Sequence, residues 1–208
     1  MLSLETILTF IAAAVVLSFV PGPDNLFVLT QSALKGWRTG VVVTLGLCSG
    51  LVIHTVAVAL GVAVIFQTSQ LAFTTLKVIG AAYLLYLAYR AFRATPETLD
   101  KSSGPRGFRK MYLRGVLMNV TNPKVAIFFL AFLPQFTAPV RGSIVVQMFA
   151  LGALFIASAF LSFLAISLTA GFLSRSLQHS NKGQIVLSRI AGLVFVGLAM
   201  KLIVSQRQ

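Results

Sequence analysis

The sequence predicts an all-α integral membrane fold, six transmembrane helices in two inverted three-helix repeats with the first and fourth helices broken. Three observations lead there. The 208 residues are 57% hydrophobic and only 10% charged, with a mean hydropathy of +0.92, too apolar for a domain with a water-facing surface. The apolar residues fall into six runs, and because a crossing of the hydrocarbon core takes about 20 helical residues, the length suffices for six spans joined by short loops. Two of the runs are interrupted at matching places, by Val20-Pro21-Gly22-Pro23-Asp24 and by Val120-Thr121-Asn122-Pro123-Lys124. Paired interruptions in the two halves of a membrane chain point to the midplane site of a secondary transporter.

In chain order the spans are expected over residues 4–31, 39–66, 71–92, 114–136, 143–173 and 185–204. The first begins with Glu5 and no Lys or Arg, and it runs into Pro-Gly-Pro rather than a small-residue cleavage site, so it is expected to be retained. The second holds Gly46-x-x-x-Gly50, a spacing that lets helices approach closely. The third opens on Lys77-Val78-Ile79-Gly80 and carries Tyr83, Tyr86 and Tyr89 loosely on one face, as interfacial or packing aromatics. A polar stretch with Pro96, Gly104, Pro105 and Gly107 then separates a first repeat, 1–93, from a second, 111–208, by a cytoplasmic linker, 94–110. All belong to one transporter domain, 1–208. The sixth span opens on Arg189-Ile190-Ala191-Gly192, an echo of the third that favours duplication.

Seventeen Lys and Arg against four acidic residues give +13, which in a soluble protein would suggest nucleic acid. Here the basic residues sit in loops, so no nucleic-acid partner is expected and the bilayer is the partner. Twelve of them lie in the first, third and fifth connections and three on the other side with the termini, which puts the odd connections in the cytoplasm and both termini outside. With three spans per half, the second half then enters the membrane upside down. Cys48 is alone in an apolar run, and the spans hold one Asp and one His, so neither a metal, a cofactor nor a set of catalytic residues is expected. There is no G-x-x-x-x-G-K-[ST] segment for ATP.

Proline inside a helix removes a donor, so the carbonyls of Leu17, Phe19 and Asn119 lose their usual partners. Unpaired carbonyls in hydrocarbon cost several kcal/mol each, so the breaks are expected to face the interior, with Gly22 and Asn122 taking unusual backbone angles. Asp24 is the one acid deep in the membrane, where an ionised Asp costs about 2.5–3.5 kcal/mol, and Lys124 is its natural partner. Two readings stay open. In one, Asp24 holds a substrate ammonium while Lys124 and the helix N-terminus after Pro123 attract its carboxylate. In the other, the two charges form a structural ion pair tying the halves together. The candidate substrate-binding residues are Pro21, Gly22, Pro23, Asp24, Asn119, Asn122, Pro123 and Lys124, with Thr121, Gln31 and Ser32 as further polar neighbours. Asp24 and His54 are candidates to carry a coupling proton, His54 alternatively being a hydrogen-bonded packing residue.

Three stretches together resemble the LysE/RhtB family of amino-acid exporters over nearly the whole chain. They are Pro21-Gly22-Pro23-Asp24-Asn25, Gly80-Ala81-Ala82-Tyr83-Leu84-Leu85-Tyr86-Leu87 and Asn119-Val120-Thr121-Asn122-Pro123-Lys124. Gly50-Leu51-Val52-Ile53-His54 is similar to the homoserine-exporter branch. The resemblance adds Asn25 to the candidate site and implies export of amino acids or close derivatives across a bacterial cytoplasmic (inner) membrane, driven by protons. With one intramembrane acid, a neutral zwitterion such as homoserine, threonine or leucine suits the site better than lysine, whose second ammonium would want a second anion. Export of cations or other small metabolites, and a structural membrane subunit, are the alternatives. Small-residue helix faces are compatible with a homodimer, and Gly36, Gly107 and Gly142 near span ends are hinge or ordinary loop glycines.

Overall fold

The computed structural model describes residues 2–20, 22–68, 70–93, 107–179 and 181–204, and every regular element among them is helical. Pro21 and most of the expected linker, 94–106, lie outside the described residues.

The first span is two helices, α1 (Leu4–Phe19) and α2 (Pro23–Lys35), bent by 59° at the break. The Ser3 hydroxyl caps α1 by accepting the Thr6 N–H. Pro23 opens α2, where its missing N–H is not needed. Gly36 closes it at a φ of 87°, and its N–H donates to the Ser32 carbonyl. Neither Gly22 (φ −171°) nor Asn122 (φ −75°) takes the unusual angles expected of the breaks. Both are extended or ordinary backbone, because the chain turns by ending one helix and starting another rather than by twisting through a left-handed residue.

The segments expected as the second and third spans are α3 (Trp37–Thr68) and α4 (Gln70–Phe92), the second of which has its apolar part over Val78–Phe92. The fourth is α5 (Phe108–Val120) and α6 (Pro123–Ile127), bent by 49° up to Phe136. It starts at Phe108 rather than Arg114, so Arg109, Lys110 and Arg114 are helical. The Arg114 guanidinium lies 4.7 Å over the Phe27 ring of α2, a tertiary anchor invisible in the local sequence. Beyond α6 the ladder widens to a π turn at Phe128–Phe132 and tightens to a 3₁₀ turn at Leu133–Phe136. Pro134 has no N–H to give to Leu130, and the Leu133 N–H reaches back to Phe128 instead. A second 3₁₀ turn, Pro139–Arg141, leads through Gly142 (φ 111°) into α7 (Ile144–His179), and α8 (Asn181–Val204) follows. The Gln147 side chain fixes this approach by bonding the N–H and carbonyl of Ala138 and the carbonyl of Gly142.

Among the described residues two helices are each long and apolar enough to cross a membrane, α3 over Trp37–Gly61 and α7 over Ile144–Ala170, and each bent pair passes the same test as a unit. The surface is inverted relative to a water-soluble helix. On α3, Leu45, Val52, Ile53, Val56 and Leu60 are exposed, while Thr44 and Thr55 are buried with their hydroxyls on the Gly40 and Leu51 carbonyls. Lipid favours this: apolar side chains need no cover, and every interior polar group needs a partner.

The tightest packing is α3 on α5. Val43 and Gly46 of α3 approach Tyr112 and Gly115 of α5 at backbone level, Gly50 meets Asn119 further along, and the two helices therefore run in the same direction. The Ser49 and Tyr112 hydroxyls hydrogen-bond across this seam at 2.8 Å. Helix α7 packs on α1, α2 and α3, running opposite to α3, with Gly152 against Thr55 and Ser167 against Gly40. Helix α4 packs on α8, where Gly192 lies against the Phe92 ring. Just past the second break, Phe10, Phe128, Phe129, Phe132, Phe136 and Phe155 form one cluster of rings with centroids 4.8–6.5 Å apart.

Candidate functional site

The two breaks come together, and each supplies what the other lacks. Helix α1 ends at Phe19 with its last carbonyls unpaired, because Pro21 and Pro23 carry no N–H. Lys124, from the first turn after the second break, reaches across and donates from Nζ to the carbonyls of Leu17 and Val20, each at 3.2 Å. The cation thus sits at the negative end of the α1 dipole. Gly22 leaves room for it: a Cβ there would stand 3.6 Å from Nζ. Asn25, the next residue after Asp24, ties α2 back to α1 by donating from Nδ2 to the Ser18 carbonyl.

Asp24 lies in the first turn of α2, where the helix N-terminus favours its charge, and is 5% exposed. Its Oδ2 accepts a hydrogen bond from Asn119 Nδ2 at 3.1 Å, whereas Oδ1 is buried with no hydrogen-bond partner among the described residues. Asn119, 1% exposed at the end of α5, is the joint of the site. Its side-chain nitrogen serves Asp24, its backbone carbonyl accepts from the Asn122 N–H and from His54 Nε2 at 3.2 Å, and its own Oδ1 has no partner. Accepting at a carbonyl places a proton on His54 Nε2. The His54 ring stands 5.7 Å from that of Phe129, at the edge of the phenylalanine cluster.

The pairing expected between Asp24 and Lys124 takes a different form. Both charges reach the breaks, but among the described residues the hydrogen bonds of Lys124 go to the first-break carbonyls and that of Asp24 to Asn119. The reason is local. A lysine just past Pro123 is within reach of carbonyls that proline has orphaned, and these satisfy an ammonium without drawing the carboxylate from its helix N-terminus. Asn122 Oδ1 caps α6 by accepting the Lys124 N–H at 3.0 Å, and its side chain also stands beside the Asp24 carboxylate. Thr121 turns its hydroxyl to the Leu117 carbonyl at 2.8 Å and is exposed, as are Pro23 and Pro123, which open the helices after the two breaks. Pro21 lies outside the described residues. Gln31 and Ser32 are buried two turns past Asp24, and their side-chain oxygens, like that of Ser167, have no partner. Ser167 had no signal in the sequence, being one serine in a long apolar run.

The arrangement holds an unfilled acceptor set among the described residues, Asp24 Oδ1 and Asn119 Oδ1, close enough to the Lys124 ammonium for the two charges to interact, while the hydrogen bonds of that ammonium go to the Leu17 and Val20 carbonyls. A buried acceptor without a donor is costly, and a ligand carrying a donor relieves it. Gly50 underlies this set, since a Cβ there would stand 2.7 Å from both Cβ and Oδ1 of Asn119. Gly50→Ala is therefore expected to push Asn119 off Asp24. Losing a hydrogen bond to a charged group, about 1.5–3 kcal/mol, should lower transport roughly tenfold or more. Comparing initial transport rates at equal amounts of inserted protein checks this, and an unchanged rate would remove Asn119 from the site.

The family model described as LysE type translocator matches residues 15–206. A membrane protein of Bacillus subtilis (strain 168), YrhP, described as uncharacterized, is 31% identical over 208 residues, covering 95% of this chain and 98% of its own. A leucine efflux protein of Salmonella typhimurium (strain LT2) is 31% identical over 201 residues, covering 93% of this chain and 92% of its own. A second leucine efflux protein, from Salmonella paratyphi A, matches equally. No solved structure matches the chain.

Proposed function

Because this chain belongs to the family of LysE type translocators, a family of membrane transporters rather than enzymes, we propose that it exports neutral amino acids or close derivatives, of the homoserine, threonine or leucine kind. The observation that carries the reading is the buried, half-partnered carboxylate of Asp24 facing a lysine ammonium across two broken helices. A zwitterion has a donor for the first and an acceptor for the second, so one small molecule answers both charges. The name of the leucine efflux relatives points the same way.

Six spans in two inverted repeats, 1–93 and 111–208 about the 94–110 linker, are the scaffold we assign to this activity. Several features support it. If the first span corresponds to the fourth, the second to the fifth and the third to the sixth, the contact of α3 with α5 has its counterpart in that of α7 with α1 and α2. The contacts α3 with α7 and α4 with α8 are their own counterparts. Each broken span leads to a basic residue followed by a positive-φ glycine, Lys35-Gly36 at the end of α2 and Arg141-Gly142 after the turn beyond Phe136. The parallel course of α3 and α5, and the reversed course of α7, fit alternation through the bilayer with both termini outside the inner membrane.

Proton coupling through Asp24 and His54 completes the proposal. The test is efflux of a labelled amino-acid panel from preloaded bacterial cells expressing wild type or His54→Gln, at matched membrane levels. Wild type should accelerate loss of one or a few neutral amino acids against their gradient. The glutamine amide still donates to the Asn119 carbonyl but cannot titrate, so His54→Gln should keep exchange of labelled for unlabelled amino acid and lose uphill export. Retained uphill export would make His54 a packing residue. Absence of efflux for the whole panel from well-inserted wild-type protein would sink the amino-acid reading.

A further inference from the structure

Resting on that reading, we infer that Lys124 is a latch on the first break that a substrate carboxylate releases, which makes the carboxylate the group that licenses transport rather than merely binding. An ammonium has three donors, and here two of them hold the Leu17 and Val20 carbonyls at 3.2 Å. The lysine belongs to the second half of the chain and the carbonyls to the first. The two bonds therefore clamp one half to the break of the other. Helix continuation cannot replace the clamp at Leu17, because the residue four further on is Pro21, which has no N–H.

A carboxylate is a stronger acceptor for an ammonium than a neutral carbonyl. A zwitterion seated by its ammonium on Asp24 Oδ1 and Asn119 Oδ1 brings its carboxylate to the same pair of breaks, in competition with Leu17 and Val20. When Lys124 turns to the ligand, these carbonyls are left without donors, a state tolerated only where the junction of α1 and α2 rearranges or admits water. Binding thereby favours a different angle between the two helices, and the ligand interacts differently with the two states, as any ligand-driven change requires. An amine of the same shape without a carboxylate satisfies Asp24 and leaves the latch shut. It should bind and block.

Gly22 is the place to read the latch, because a Cβ there lies 3.6 Å from Lys124 Nζ and 3.9 Å from its Cδ, an ordinary contact that a small side chain can make. Gly22→Cys is introduced with Cys48→Ser, which removes the one native thiol, and the protein is reconstituted in vesicles. Its modification rate by N-ethylmaleimide is measured alone, with leucine or threonine, and with 3-methylbutylamine. The expected result is at least a fivefold rise with the amino acid and none with the amine. Adding Lys124→Met should raise the rate to the open value without ligand. Adding Lys124→Gln, whose amide can still bond one carbonyl but attracts no carboxylate, keeps the test valid if the Met variant fails to fold, and should abolish the response to amino acid. Transport of leucine, threonine and the amine by the protein with Gly22 and Lys124 intact is followed in parallel vesicles. Equal labelling with amino acid and amine, transport of the amine at the amino-acid rate, or amino-acid transport without a change in labelling overturns the latch while export stands. Absence of transport for every amino acid in the panel overturns the export reading, and labelling that still responds to Lys124 removal but not to amino acids overturns the carboxylate trigger.

Discussion

Asp24→Asn is expected to abolish measurable export while leaving the protein inserted and folded. The substitution keeps the shape of the side chain and an oxygen that can accept from Asn119, so the junction of α2 with α5 survives. What it removes is the charge that answers a substrate ammonium. A hydrogen bond to a charged partner contributes about 1.5–3 kcal/mol, so affinity should fall roughly 10- to 150-fold. A permanently uncharged side chain also cannot take part in proton coupling, and uphill export should cease altogether. Because Lys124 bonds carbonyls rather than this carboxylate, neutralising it as well should not rescue the variant. Efflux and thermal stability of Asp24→Asn and of Asp24→Asn with Lys124→Gln, at matched membrane levels, check the argument. Rescue by the double substitution would return the two residues to a structural ion pair.

Gly46→Ala should have the largest effect on the fold itself. A methyl group there would fall on the Tyr112 carbonyl oxygen and within 3.1 Å of the Gly115 Cα, both on α5. Backbone cannot rotate away as a side chain can, so the helices must separate. Overpacking typically costs 1–3 kcal/mol, and a backbone obstacle belongs at the upper end. The better helix propensity of alanine returns at most about 1 kcal/mol. The net loss of about 2 kcal/mol should lower the Tm of the purified protein by roughly 4–8 °C. It should also weaken transport, since α3 carries His54 and Gly50 against Asn119, seven residues beyond Tyr112 and four beyond Gly115 on the same seam. Gly61→Ala on the same helix, where no atom of the described residues lies within 4 Å of the added carbon, is the matched control and should be neutral.

These two residues also show what the sequence could reveal. Gly46-x-x-x-Gly50 marked a close helix contact from spacing alone, but Gly115, its partner, is a single glycine at the start of the expected fourth span with no matching motif and became visible only in the packing of α3 on α5. The helix breaks were legible because proline acts on its own backbone, so the orphaned carbonyl of Leu17 could be named from residue order. Which group would answer it could not, because Lys124 lies 107 residues away and a lysine can pair with a carboxylate or a carbonyl equally well on paper. Gly22 and Asn122 were expected in unusual backbone angles on composition, yet a chain that stops one helix and starts another needs none. The π turn at Phe128–Phe132 was hidden for another reason. It depends on a proline further along and on which rings pack around it, and an apolar run has no periodicity that separates π from α.

The phenylalanine cluster bears on energy conservation in the cell. Six rings from α1, α7 and the segment after the second break meet immediately beyond Lys124 and His54, and a phenyl ring offers no site at which a water molecule can be held by a strong hydrogen bond. Water is poorly held among such rings, and a proton does not hop where water is absent. If the proposed export is coupled to protons, a ring cluster on one side of the charged breaks works against protons slipping past them, so that a membrane carrying many copies of this protein would be less prone to discharge its own battery.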